Sequence, residues 1–225
     1  MDQKLYDEFI ERGNTILGKY SQMDPFEDNL FFGDKALSLT GNVSGYGVQN
    51  WRRPKNMIDS KSNRITNPKI IVNGFGCNDI GQGSLGDCWF LSALSCVAFT
   101  KPDLLKKLFH PKIIDYNEKG LTIMRFFKGG KNKICYIDDR FPCDKNGKSV
   151  FCDTGTENSI TELWPIMLEK GFSKIHNSYE SIEGGRPEQA LVDLTNGVSE
   201  VIVFDSKEFK KMKNDGSFWQ KISKS

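Results

Sequence analysis

The chain has 225 residues, with 31 Lys+Arg against 29 Asp+Glu. That length admits one or two domains with a real core, and so even a balance leaves no bulk charge to mark a nucleic-acid partner. Sixteen Phe, four Trp and six Tyr exclude the disordered class and predict a packed globular protein.

The N-terminus, Met1 to Arg12, lacks the apolar region of a signal peptide. No stretch approaches the roughly 18 apolar residues of a transmembrane helix. The six cysteines form no C-x-x-C pair, and the sequence offers only His110 and His176 beside them. A zinc site is therefore not expected. Without a secretory signal the thiols read as reduced and the setting as cytoplasmic.

Residues 2–20 predict a helix with Leu5, Phe9, Leu17 and Tyr20 on one side, weakened by Gly13 and Gly18. A loop-rich approach follows to residue 50, and then Trp51-Arg52-Arg53-Pro54. Ile70-Ile71-Val72 reads as a short strand entering a glycine-rich loop, Asn73 to Asp79. Exposed carbonyls and a carboxylate are the hard oxygen ligands calcium takes, though the same pattern also suits an ordinary turn.

The glycine-rich turn Gly81 to Asp87 delivers Cys88 onto the apolar run Trp89-Phe90-Leu91-Ser92-Ala93-Leu94, which continues through Phe99. A buried helix is predicted. Cys88 would start it, where unpaired backbone N–H groups favour negative charge and hence a nucleophilic thiolate. The residues alone equally suit one more buried core cysteine. Gln82, in the same turn, carries an amide that could donate to an oxyanion.

Further on, Lys101 to Phe109 predicts a helix with Pro102 in its first turn and Leu104, Leu105 and Leu108 inward. His110 reads as a cap or surface residue. Leu121–Phe127 and Lys133–Asp138, joined through Gly129-Gly130, read as a β-hairpin, and Ser149–Cys152 as a strand after a tight turn. Asp138 and Asp139 face opposite sides of a strand and are not assigned as a metal pair. A helix is predicted from about Glu162 to His176. Glu162 then suits either a metal ligand or a first-turn acid answering the helix dipole. Pro187 to Thr195 is a helix closed by Asn196-Gly197, Val198 to Phe204 a strand, and the Lys-rich tail a solvated helical face.

The stretch Gln82-Gly-Ser-Leu-Gly-Asp-Cys-Trp-Phe-Leu-Ser-Ala-Leu94 closely resembles the active-site segment of calpains, the cytosolic calcium-dependent cysteine proteases. Trp51–Pro54 resembles the family's W-x-R-P element, Ile137–Pro142 its V-D-D-x-x-P element, and Lys174–Glu180 its K-x-N-G-S-Y-E segment, where His176 has no catalytic part. The resemblance implies Cys88 as nucleophile, Gln82 as oxyanion donor and Gly185 as a lining residue of the substrate cleft. It also implies a calcium site from the carbonyls of Val72 and Gly74 with Asp79 and the distant Glu162. Cys77 departs from the family, which usually carries an arginine there to link calcium binding to closure of the two lobes.

The implied fold is α+β, a papain-like protease with residues 1–50 as lead-in, 51–185 as a complete first lobe and 186–225 as the start of a truncated second lobe. In calpains the base histidine and its orienting asparagine come from that second lobe, and neither His110 nor His176 fits. The expectation is a calpain-like endopeptidase acting on protein substrates but inactive alone, its missing partner being a second lobe or downstream chain. The alternative is a non-catalytic calcium- or protein-binding module. A reading frame continuing past Ser225 into such a His and Asn separates the two. An exposed apolar patch is expected beside Trp89 and Gly185.

Overall fold

The computed structural model describes residues 3–61, 63–113, 119–154, 156–157 and 160–223. Residue 2 and Lys224, both assigned to helical segments by sequence, lie outside these. The helices are α1 Gln3–Leu17, α2 Asp34–Leu37, α3 Cys88–Thr100, α4 Pro102–Lys106, α5 Trp164–Ile175, α6 Pro187–Thr195, α7 Lys207–Asn214 and α8 Ser217–Ile222. The strands are β1 Asn50–Arg52, β2 Pro68–Lys69, β3 Ile80–Gly81, β4 Leu121–Lys128, β5 Lys131–Asp138, β6 Phe141–Cys143, β7 Asp153–Thr154, β8 Thr156–Glu157 and β9 Ile160–Glu162. Mixed helix and strand of this kind is consistent with the α+β class. No helix among the described residues is long and apolar enough to cross a membrane.

The strands form small sheets: β1 with β6, β2-β9-β8, β3 with β7, and the β4–β5 hairpin. The hairpin turns at Gly129 and Gly130, both with positive φ (57° and 71°), as a two-residue turn that follows the strand twist requires. Helix α5 packs on it, and α3, buried on most of its circumference, lies against α5. Phe90 of α3 stacks on Phe172 of α5 at 4.2 Å. Gly171 brings α5 against the hairpin, since a Cβ there would stand 2.4 Å from the Met124 side chain.

Several expectations are corrected. Glu162 ends a strand rather than opening a helix. The Leu163 and Trp164 amides donate to Lys69 O and Ile70 O, so helical bonding starts only at Trp164, with Pro165 in the first turn. The pairing strand is Pro68–Lys69, while Ile70–Val72 is irregular. Ser149–Cys152 makes a single bridge, Ser149 to Cys143, because the Cys152 amide goes to the Glu169 side chain at 2.9 Å. Val198–Phe204 has no strand partner among the described residues, and Val198 is fully exposed. Large exposed apolar side chains lie there, at Val201, Val203 and Phe204, rather than beside Trp89, which is buried. His110 is likewise buried rather than at the surface. It packs on Gly13 and Phe9 of α1, with Nε2 3.0 Å from Ile10 O, so Gly13 is what lets α1 dock.

Candidate active site

The turn before Cys88 is held from both ends. At its start β3 pairs with β7, placing Gly81 opposite Asp153. Ser84 donates both its amide and its hydroxyl to Val150 O, each at 3.0 Å. Gly83 lies so close to this segment that a Cβ would stand 1.7 Å from Phe151 O, which leaves glycine as the residue that fits. At the far end Gly184 N donates to Gly86 O at 2.9 Å and Trp89 Nε1 to Ile182 O at 2.8 Å. Gly185 closes on the Trp89 indole, where a Cβ would come within 2.4 Å. The resemblance implies Gly185 as a lining residue of the substrate cleft; the structure adds that Trp89 itself excludes a side chain there.

Cys88 is the first residue of α3 and is exposed. The alternative of a buried core cysteine is therefore excluded. Gln82 is also exposed, and its Nε2 donates to Leu85 O at 3.2 Å. An amide nitrogen has two hydrogens, so one remains for a further acceptor. Two open cavities are lined by residues of this turn or its immediate neighbours. One, of about 370 Å³, is lined by Trp89, His176, Gly184 and Asp193. The other, of about 330 Å³, is lined by Tyr46, Gln82, Gly83, Ser84 and Lys148.

The residues assigned to calcium divide. Strand β9, paired to β2, carries Glu162 to the loop at Val72, whose backbone hydrogen-bonds its carboxyl. Asp79 Oδ2 accepts from Gly76 N at 2.9 Å and Trp164 Nε1 at 3.2 Å. Burial, then the charge of Asp79 and a hydrogen bond with it, push the Glu162 carboxyl up to about 7. Glu162 Oε2 is buried with no donor among the described residues. Two adjacent carboxyls with one orphaned oxygen suit a hard dication. Gly74 stands at φ 105° in the same loop. Among the described residues no three His, Cys, Asp or Glu gather as a metal cluster. Cys77 is exposed between the loop and Asp79.

Neither histidine serves Cys88. His110 is committed to α1, and His176 donates from Nδ1 to Phe172 O at 2.9 Å while its Nε2 lies 3.4 Å from Asp193. Asp138 pairs with Lys170 and Arg140, and Asp139 with Arg53, so both are structural. Sequence reasoning passed over Asp87 and Glu169, a buried carboxyl pair under the turn. The one local signal was an acid immediately before the cysteine.

The family described as calpain family cysteine protease matches residues 26–225. The chain is 34% identical over 175 residues to the calpain-type cysteine protease DEK1 of Arabidopsis thaliana, covering 78% of this chain and 8% of that protein. It is 35% identical over 201 residues to the calpain-type cysteine protease ADL1 of Oryza sativa subsp. japonica, covering 89% and 9%. With Calpain-5 of Mus musculus it shares 32% over 185 residues, covering 79% and 27%. The chain thus spans less than a tenth of the plant relatives' length and about a quarter of the mouse protein's.

Proposed function

The chain belongs to the calpain family of cysteine proteases, and on that premise we propose that it supplies the nucleophile half of a calcium-dependent endopeptidase site. The observation that carries this reading is Cys88, exposed at the start of a buried helix and following a turn that also exposes Gln82. The open amides of the first turn favour negative charge on its sulfur. The thiolate attacks a peptide carbonyl, and the second hydrogen of the Gln82 amide meets the oxyanion that forms. Gly185, packed with its bare Cα on the Trp89 indole, would line the substrate cleft.

The proton of the thiol needs a base. Since His110 and His176 are engaged elsewhere, an imidazole and its orienting amide come from polypeptide outside these residues, in keeping with a complete first lobe that awaits a second. Protein substrates are then hydrolysed only by the joined site. Val72, Asp79 and Glu162, with Gly74 from the same loop, would hold calcium, whose charge would neutralise the carboxyl pair and fix the loop. Free thiols at all six cysteines support a cytoplasmic setting.

Peptide-resolved alkylation with iodoacetamide at neutral pH tests the nucleophile. Cys88 should react about tenfold faster than Cys77 and Cys96, the other exposed thiols. Equal rates would remove the nucleophile and leave the non-catalytic module as the better reading.

A further inference from the structure

Beneath the Cys88 turn lies a pair of carboxyl groups to which the proposed reaction gives no part. Asp87 is 1% exposed, and Glu169 on α5 is 2% exposed. Glu169 Oε1 accepts the Cys152 amide at 2.9 Å. Both oxygens of Asp87 are buried without a donor among the described residues, and the group they meet is the Glu169 carboxyl. As two carboxylates this would set acceptor against acceptor where uncompensated charge is costly. Among the described residues neither forms an ion pair, and Lys170, next along α5, is committed to Asp138 at 2.5 Å. The Cys152 thiol and the Tyr179 phenol both feel the pair's charge, and neither brings a positive charge to it.

We infer that Asp87 and Glu169 hold one proton between them, and that this shared proton fixes the turn presenting Cys88. Glu169 is the donor and Asp87 the acceptor. Burial drives the Glu169 carboxyl well above its usual range, and the Asp87 charge adds to that. Burial also raises Asp87, to about 6, while the bond from Glu169 works in the opposite direction. Asp87 transmits the restraint because its own carbonyl accepts Phe90 N at 2.8 Å and Leu91 N at 3.1 Å, starting the helix one residue before the thiol. Both acids are positioning residues, and the inference rests on Cys88 being the nucleophile.

The sign follows from both folded values lying above the ordinary ones. The stabilisation is full below the unfolded values of 3.8 and 4.5 and is lost as pH rises through the folded values, about 6 for Asp87 and the raised value of Glu169. Where the fold keeps one more proton than the unfolded chain, the unfolding constant grows about tenfold per pH unit.

The test compares the wild-type chain with Glu169→Gln, whose amide can still donate to Asp87 and accept from Cys152. At pH 7 the infrared difference spectrum should show one protonated-carboxyl stretch present only in the wild type. Calcium should not remove it, which separates it from Glu162. Between pH 5 and 7 the unfolding constant should climb about tenfold per unit more steeply in the wild type than in the variant. Cys88 alkylation should stay within about twofold of wild type in Glu169→Gln and fall about tenfold in Glu169→Ala. Titrating the same band in the wild type needs no variant to fold. A missing band, or parallel pH slopes, overturns the inference while leaving the nucleophile reading intact. Loss of Cys88 selectivity in the wild type with the band present overturns the nucleophile reading and with it the positioning role, while the shared proton itself stands.

Discussion

A single methyl group probes the Cys88 turn most directly. At Gly83 it would fall on Phe151 O and Val150 O, at 1.7 and 2.4 Å. Both are backbone atoms, and Val150 O is already held by the two Ser84 bonds. Gly83→Ala should therefore destabilise by about 3 kcal/mol in urea unfolding and slow Cys88 alkylation. At Gly86 an added methyl would meet nothing within 4 Å, so Gly86→Ala should stay within about 0.5 kcal/mol. Equal losses at the two positions would mean that the contact with residues 150–151 does not hold the turn. Glu162 gives a residue-scale test of the metal assignment. Its folded value of about 7 lies above the ordinary 4.5, so without metal its contribution favours the fold below 4.5 and is lost as pH rises through 7. At pH 8 Glu162→Gln should stabilise the calcium-free chain by about 1 kcal/mol, after allowance for solvent screening. The same change should abolish any rise in melting temperature on adding calcium. A wild type whose melting temperature ignores calcium would sink the site itself.

At the scale of elements, the attachment of α1 depends on a neutral imidazole. Burial, with Lys112 adding to it and the Ile10 carbonyl opposing it, holds the His110 value below its ordinary 6.5. Its stabilisation is present above 6.5 and lost as pH falls, because the unfolded chain takes up the proton first. Amide exchange in α1 should accelerate between pH 7 and 5 beyond the intrinsic trend, and His110→Gln should flatten that change. An α1 that exchanges alike in both would show that another group drives the opening. Elements whose signals are local were legible in the sequence: the hairpin at Gly129-Gly130, α3 behind its glycine turn, and α6 between Pro187 and the left-handed Asn196. Those that failed have backbone partners far along the chain. Leu163 and Trp164 lose a helical turn to Lys69 and Ile70, and Cys152 loses a strand bond to Glu169. The site divides the same way. Cys88 and Gln82 announce themselves in one short segment, whereas Asp87 and Glu169 become a pair only once α5 is packed against α3.

Across the whole molecule, buried charge fastens the lead-in to the sheet and to α5. Lys170 Nζ, fully buried, reaches Asp138 Oδ1 at 2.5 Å, Asp138 O at 3.1 Å and Arg140 O at 2.6 Å. Asp138 also accepts from Asp28 N and Arg140, Lys174 pairs with Asp28, and Arg53 pairs with Asp139. Residues 28, 53, 138–140 and 170–174 are thereby tied together by groups that all need a partner. Burial alone would raise the Asp138 carboxyl, but Lys170, the Asp28 amide and Arg140 outweigh it and hold the value below 3.8. Its stabilisation is present above 3.8 and lost as pH falls through the folded value, opposite in sign to that of Asp87, Glu169 and Glu162. Lys170→Met fills similar volume yet leaves Asp138 with Arg140 as its remaining cation and two carbonyls without their buried donor, so it should cost about 3 kcal/mol at pH 7. Adding Asp138→Leu removes the undercompensated carboxylate and, since Arg140 keeps Glu27 as a partner, should recover part of that loss. Denaturant unfolding of the two variants and the wild type measures both steps. A double variant no more stable than Lys170→Met alone would mean that packing around Lys170, rather than its charge, holds these segments together.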